Sequence, residues 1–144
     1  MVHTDQPSIM TRLIVSKTVG LLFGVLALLG ISVFVPESGL LTRFGLLLWY
    51  FTMGGIIGIV GMLDIHPVLY IRLPWWVRGP SVGAWMNFVL VFFAYDLMAE
   101  VILKVTGHGF SPFWFALEGA VIGGIIGGIS TYFGGEGPQT LKEH

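Results

Sequence analysis

The sequence predicts an all-α membrane protein, four transmembrane helices in an antiparallel bundle with both termini cytoplasmic. Apolar residues make up 55% of the chain and charged residues only 10%, whereas a soluble domain carries about 25% charged residues. Mean hydropathy is +0.87, which a bilayer environment explains directly. Apolar runs of about 20 residues, the length that crosses a hydrocarbon layer, use up most of the 144 positions. Residues 1–144 therefore read as a single transmembrane domain.

The first span covers residues 13–35 and closes at Pro36-Glu37-Ser38-Gly39, a turn-forming cluster. Its apolar run exceeds the core of a signal peptide, and Val33-Phe34-Val35 is no small-residue cleavage site, so a retained helix is expected. The second span, 44–63, has no charged residue and carries Gly54, Gly55, Gly58 and Gly61. A connector over 64–80 follows. Its three prolines oppose one continuous helix, and Trp75 and Trp76 suit headgroup depth, so it is expected to lie along the membrane surface. The third span, 82–103, holds Asn87, Asp96 and Glu100 and ends before the turn Gly107-His108-Gly109. The fourth, 113–133, starts at an aromatic belt that includes Trp114, holds Glu118 and leads into a polar tail at 134–144.

Orientation follows from the excess of Lys and Arg on cytoplasmic segments. With an even number of spans, Arg12, Lys17, Arg72, Arg78 and Lys142 share one side, against Arg43 and Lys104 on the other. Both termini are expected in the cytoplasm, and the expected location is a bacterial inner membrane.

Small residues are arranged for close helix packing. Gly119, Gly123 and Gly127 recur every fourth residue beside Ala120, Gly124 and Gly128, and Gly54 and Gly58 on the second span and Gly20 and Gly24 on the first offer similar grooves. Lipid tails solvate apolar helices as well as protein does, so helices associate through close backbone approach. These faces serve either packing within one chain or the seam of a homo-oligomer. Laid on the fourth span with an offset of 65, the second span places Trp49, Gly54 and Gly58 on Trp114, Gly119 and Gly123. Duplication and convergent glycine packing both account for that match.

Ionisable groups are expensive inside a bilayer, about 2.5–3.5 kcal/mol each on insertion scales, so those that persist point to function. Asp96, Glu100 and Lys104 form one stripe of the third helix at four-residue spacing, and Glu118 lies at a depth similar to Glu100. One reading gathers Asp96, Glu100 and Glu118 beneath the outer surface as a proton- or cation-binding cluster. The other pairs Glu100 with Lys104, lets Glu118 reach the interface and leaves only Asp96 immersed. Glu118 projects away from the glycine face of its own helix, which calls for a fourth helix packed on two sides, as in an oligomer, or for a shallower Glu118. Asn87 is expected to hydrogen-bond a neighbouring helix.

Other chemistries find little support. Cysteine is absent, which removes disulfides and thiolate metal sites. His3, His66, His108 and His144 all fall outside the spans, so no pair of axial haem ligands is in place, and Asp64 with His66 are too few to hold a metal. No serine or threonine has a histidine in reach, so no enzyme is expected. No cofactor and no metal are called for. The net charge of −1 with no basic run excludes a nucleic-acid surface. The expected partners are the lipid bilayer and either further copies of the chain or other membrane subunits. Two functions follow: transport, as a homo-oligomeric channel or carrier or the small membrane subunit of a transporter, and alternatively a non-catalytic scaffold or assembly subunit of a larger membrane complex.

Overall fold

The computed structural model describes residues 7–142, which leaves His3 and His144 outside the described residues. The architecture is all-helical: α1 (Ile9–Phe34), α2 (Leu40–Val60), α3 (Trp75–Phe93), α4 (Tyr95–Thr106) and α5 (Phe115–Gly134). The segments Ile9–Phe34, Leu40–Val60 and Pro112–Gly134 are long and apolar enough to cross a membrane. Their outward faces are apolar too, with Leu22, Leu26 and Val33 of α1, Leu41 and Leu48 of α2, and Leu117 and Val121 of α5 all exposed.

Local signals account for the helix ends. Ser8 caps α1 by accepting from Thr11 N at 3.4 Å, and Gly107, at φ 72°, ends α4 in the left-handed conformation that glycine takes without a Cβ penalty. Two boundaries depart from the expectation. The third segment begins at Trp75, because Pro80 falls in the second turn of α3, where its missing N–H removes one hydrogen bond near the helix start. That segment is also not one helix, since it breaks at Ala94 (φ −126°, ψ 33°) and continues as α4. The break changes its packing partner: Gly79 and Gly83 of α3 lie on α5, whereas Met98 of α4 packs with Ile31 of α1 and with Val35, which caps that helix.

The small residues are spent inside the chain, in two antiparallel helix pairs. On α1 and α2, a Cβ at Gly20 would meet Tyr50 O and the Cα of Gly54, and one at Gly54 would meet Ser16 O. On α3 and α5, a Cβ at Gly83 would meet Gly119 O and the Cα of Gly123, and one at Gly123 would meet Gly79 O. Gly58 faces Ser16, and Gly127 faces Gly79 and Trp75 O. The neighbouring row of α5 receives side chains, Pro80 at Gly124 and the Trp75 ring at Gly128. Matched by contact, Ser16 and Gly20 correspond to Gly79 and Gly83, while Gly54 corresponds to Gly123. The second pair is thus set one helical turn further along than the offset of 65 implied. Tyr50, Met53 and Ile57 of α2 and Ile122 and Ile126 of α5 fill the core between the pairs.

At the end where α1 begins, Arg12 is 1% exposed. Its Nε donates to Gly58 O at 3.0 Å and its guanidinium nitrogens donate to Thr131 Oγ1 at 2.9 Å, Gly135 O at 2.7 Å and Ile57 O at 3.5 Å. A cation is thereby held against the C-terminal ends of α2 and α5, where the helix dipoles are negative. Gly61 leaves the room for it, since a Cβ there would collide with the guanidinium. The segment after α5 is not a loose tail: Gly137 N donates to Gly61 O at 2.8 Å and Thr140 is 1% exposed.

At the opposite end Lys104 Nζ donates to Glu37 at 3.0 Å and to Glu100 at 2.7 Å. The backbone at Glu37 and the Lys104 ammonium hold the Glu37 carboxyl below its usual range, at about 2. A depressed carboxyl favours the fold above the ordinary carboxylate range and loses that effect as pH falls towards the folded value. Glu37 is 61% exposed, so solvent screens most of it.

Two predictions follow from this packing. Gly83→Ala should lower stability by about 1–3 kcal/mol, the usual cost of overpacking, whereas Gly45→Ala, whose Cβ meets nothing within 4 Å, should be neutral or stabilising; thermal unfolding in detergent checks both. Arg12→Met removes charged hydrogen bonds of about 1.5–3 kcal/mol each and should cost at least about 3 kcal/mol by the same measurement. Arg12→Lys should not restore it, because an ammonium cannot span the acceptors of a guanidinium fork.

Candidate functional site

Between the two pairs lies a group of polar side chains drawn from three helices. Asn87 continues the row Gly79, Gly83 on α3 and is therefore carried to the helix interface, where it is fully buried. Tyr50, 5% exposed, comes from the middle of α2, and Glu118 from the first turn of α5. The Tyr50 hydroxyl lies 3.0 and 2.9 Å from the two Glu118 oxygens and donates to the carboxylate. Asn87 Nδ2 donates to Glu118 Oε2 at 2.6 Å and to Phe115 O at 3.0 Å, and Trp49 Nε1 donates to Asn87 Oδ1 at 3.2 Å. The hydrogen-bond chain from donor Trp49 through Asn87 to the accepting Glu118 carboxylate fixes which Asn87 atom is the amide nitrogen.

Glu118 and Tyr50 form the floor of an apolar cleft of about 200 Å³, whose walls include Ile31, Leu46, Met98 and Phe115. The cleft continues to Phe34 and Val105, which are exposed and lie towards the Glu37–Lys104 end. On the other side of Glu118 the core is closed by Met53, Ile57 and Ile126, each at most 2% exposed. The Tyr50 and Asn87 donors satisfy the Glu118 carboxylate oxygens at the start of α5. Among the described residues no Lys, Arg or His pairs with it.

The three carboxylates expected together have different surroundings. Glu118 sits on Tyr50 and Asn87, Glu100 is paired with Lys104, and Asp96 is exposed in the first turn of α4. The break at Ala94 is the physical reason: it separates the α3 face that carries Asn87 from the α4 face that carries the stripe. The orientation of Glu118 is also accounted for within one chain. The row Glu118, Ile122, Ile126 faces α2, while Gly119, Gly123 and Gly127 face α3. Trp75 packs on Gly128, and Trp76 and Trp114 are exposed, at 62% and 60%.

Tyr50 was not singled out from the sequence, and Arg12 and Arg78 entered only as charges for orientation. A signal for Arg12 was present: Arg12, Ser16, Gly20 and Gly24 form one row at four-residue spacing, and all are buried. His66 Nδ1 accepts from Val68 N at 3.2 Å and Leu69 N at 3.1 Å, so that nitrogen holds a turn. Among the described residues no three His, Cys, Asp or Glu side chains are placed to hold a metal ion. No family model, curated protein or solved structure matches the chain.

Asn87→Leu should leave Glu118 with one donor fewer and Trp49 Nε1 without an acceptor, at a cost of about 1–3 kcal/mol for each buried group left unpaired. A fall in the unfolding temperature in detergent, together with a shift of tryptophan fluorescence from the loss of the Trp49 contact, is the expected outcome.

Proposed function

We propose that this chain is a small multi-pass transport protein of a cell membrane that binds a proton or a small cation at Glu118. The observation that carries the proposal is an interior carboxylate with neutral hydrogen-bond donors and no basic partner, at the floor of a cleft that opens towards one end. A carboxylate so placed is costly to leave bare in a membrane, and a proton or a cation supplies what the protein does not. The cluster of three carboxylates is thereby reduced to one.

In this reading the third crossing is made by α3 and α4 together, which completes an antiparallel bundle of four crossings. The start of α1 and the end of α5 lie side by side, with Ser8 N donating to Gly134 O at 2.9 Å, which fits an even number of crossings. The excess of Lys and Arg at that end places both termini in the cytoplasm and the mouth of the Glu118 cleft outside. The closed core beyond Glu118 favours a carrier or a transporter subunit over an open pore.

A second reading, as an assembly subunit of a larger membrane complex, is favoured by Asp96. This carboxylate is exposed at the helix break beside exposed Phe92, Phe93 and Tyr95, a position that a protein partner would cover better than lipid.

Reconstituted into liposomes under an imposed proton or cation gradient, the wild-type chain should show flux and Glu118→Gln should reduce it at least tenfold. The double variant Asp96→Asn with Glu100→Gln should retain at least half. Full flux in Glu118→Gln would overturn the role given to Glu118, and absence of flux together with a stoichiometric larger partner in mild detergent would favour assembly.

A further inference from the structure

At the end of the molecule opposite the Glu118 cleft mouth lies a second cleft, of about 460 Å³, within the about 300–1,000 Å³ of small-ligand sites. It is lined by charged side chains of both signs: Asp64 and Arg72 from the connector, Arg78 from the first turns of α3, and Glu136 after α5. The connector that forms one wall is a short hairpin. Ile65 and Arg72 pair as an antiparallel bridge, Leu73 N donates to Asp64 O at 2.8 Å, and Tyr70 turns the chain with a φ of 52°. Its tip, Val68, Leu69, Tyr70 and Ile71, is apolar and exposed, as is the neighbouring Trp76. An exposed apolar tip beside tryptophans belongs at the membrane interface, which puts the cleft at headgroup depth.

The charges in the cleft are unequally used. Arg78 is 5% exposed, is ion-paired with Glu136 and donates to Leu63 O at 3.1 Å and Leu73 O at 2.6 Å. Its Nε is a buried side-chain nitrogen with no acceptor. Asp64 and Arg72 line the same cleft, yet among the described residues neither side chain makes an ion pair, with each other or with any other group. The Arg72 guanidinium and the Asp64 carboxylate, both carried by the connector wall and not paired with one another, are complementary to a ligand that carries an anion and an ammonium close together.

We infer that this cleft binds a phosphoethanolamine group, with its phosphate on Arg72 beside Arg78 and its primary ammonium on Asp64. A guanidinium takes a phosphate through paired N–H donors, and a carboxylate accepts from a primary ammonium but has no N–H to accept from on a quaternary one. An anionic headgroup without an amine would leave Asp64 unpaired and would face Glu136 as well. The group is found both as a lipid headgroup and as a free phosphomonoester, and the depth of the cleft favours the lipid. The inference rests on the membrane reading above and is independent of Glu118.

The test uses the purified full chain in detergent, titrated with short-chain phosphatidylethanolamine, phosphatidylcholine and phosphatidylglycerol and with soluble phosphoethanolamine, binding being followed by calorimetry. Phosphatidylethanolamine is expected to bind at least tenfold more tightly than the other two lipids. Arg72→Gln and Asp64→Asn, neither of them a buried side chain, should each weaken it at least tenfold with an unchanged unfolding temperature. Binding of soluble phosphoethanolamine alone would keep the site and move its source to the aqueous phase. Equal binding of the three lipids with none of the soluble compound, or wild-type affinity in both variants, would overturn the inference. Flux assays on Glu118→Gln read the other proposal separately, and recovery of the chain in the soluble fraction of cells would overturn the membrane reading beneath both.

Discussion

The interaction on which the rest of the structure depends is the burial of Arg12 among backbone carbonyls at one end of the molecule. Glycine contacts join α1 to α2 and α3 to α5, and Gly134 of α5, set against the backbone of Arg12, joins one pair to the other. The Arg12 side chain does so as well, by reaching from α1 to Ile57 and Gly58 of α2 and to Thr131 and Gly135 at the end of α5. A guanidinium in that position answers two needs at once. Helix C-termini leave carbonyls without intrahelical partners, and a buried cation needs several acceptors. The space comes from Gly61, whose missing side chain is where the guanidinium lies.

Because Arg12 fixes α2 against α5, it also sets the height at which Tyr50 meets Glu118. Glycine contact between α3 and α5 brings Asn87 to the same level, where a Cβ at Gly119 would touch the Asn87 side chain. Glu118 is thus fastened by two helices other than its own, with neutral donors rather than a counter-ion. A carboxylate satisfied by hydrogen bonds but not by charge is held in position and still has its charge to offer.

The two ends of the molecule are built differently. At the Arg12 end Arg12 and Arg78 are buried and donate to backbone carbonyls, and the chain after α5 is tied to Gly61 beside them. At the other end Lys104 is shared between Glu37 and Glu100 in a half-exposed group that solvent screens, and the cleft opens beside it. Under the proposed transport role, movement that admits an ion to Glu118 is easier at the second end, because fewer buried contacts have to break there. The break at Ala94 contributes, since it leaves α4 in contact with the upper part of α1 as an element separate from α3.

Much of the fold was legible in the sequence because its signals are local. Apolar runs located α1, α2 and α5, the turn at Gly107 was visible as glycine, and the spacing of Gly119, Gly123 and Gly127 identified a packing face. Glu118 was legible as a candidate together with Asp96 and Glu100, since a carboxylate is conspicuous in an apolar run, but the sequence leaves its depth open between an enclosed and an interfacial position. What surrounds Glu118 was not legible, because Tyr50 and Asn87 reach it only through the register between helices far apart in sequence. The partner of a glycine face, the turn by which one helix pair is offset from the other, and the fate of Asp96 after the Ala94 break are likewise properties of contact between helices. Composition and periodicity determined which segments form helices long and apolar enough to cross a membrane; only the tertiary structure decided which carboxylate is enclosed, because that depends on where backbones can approach closely enough to touch.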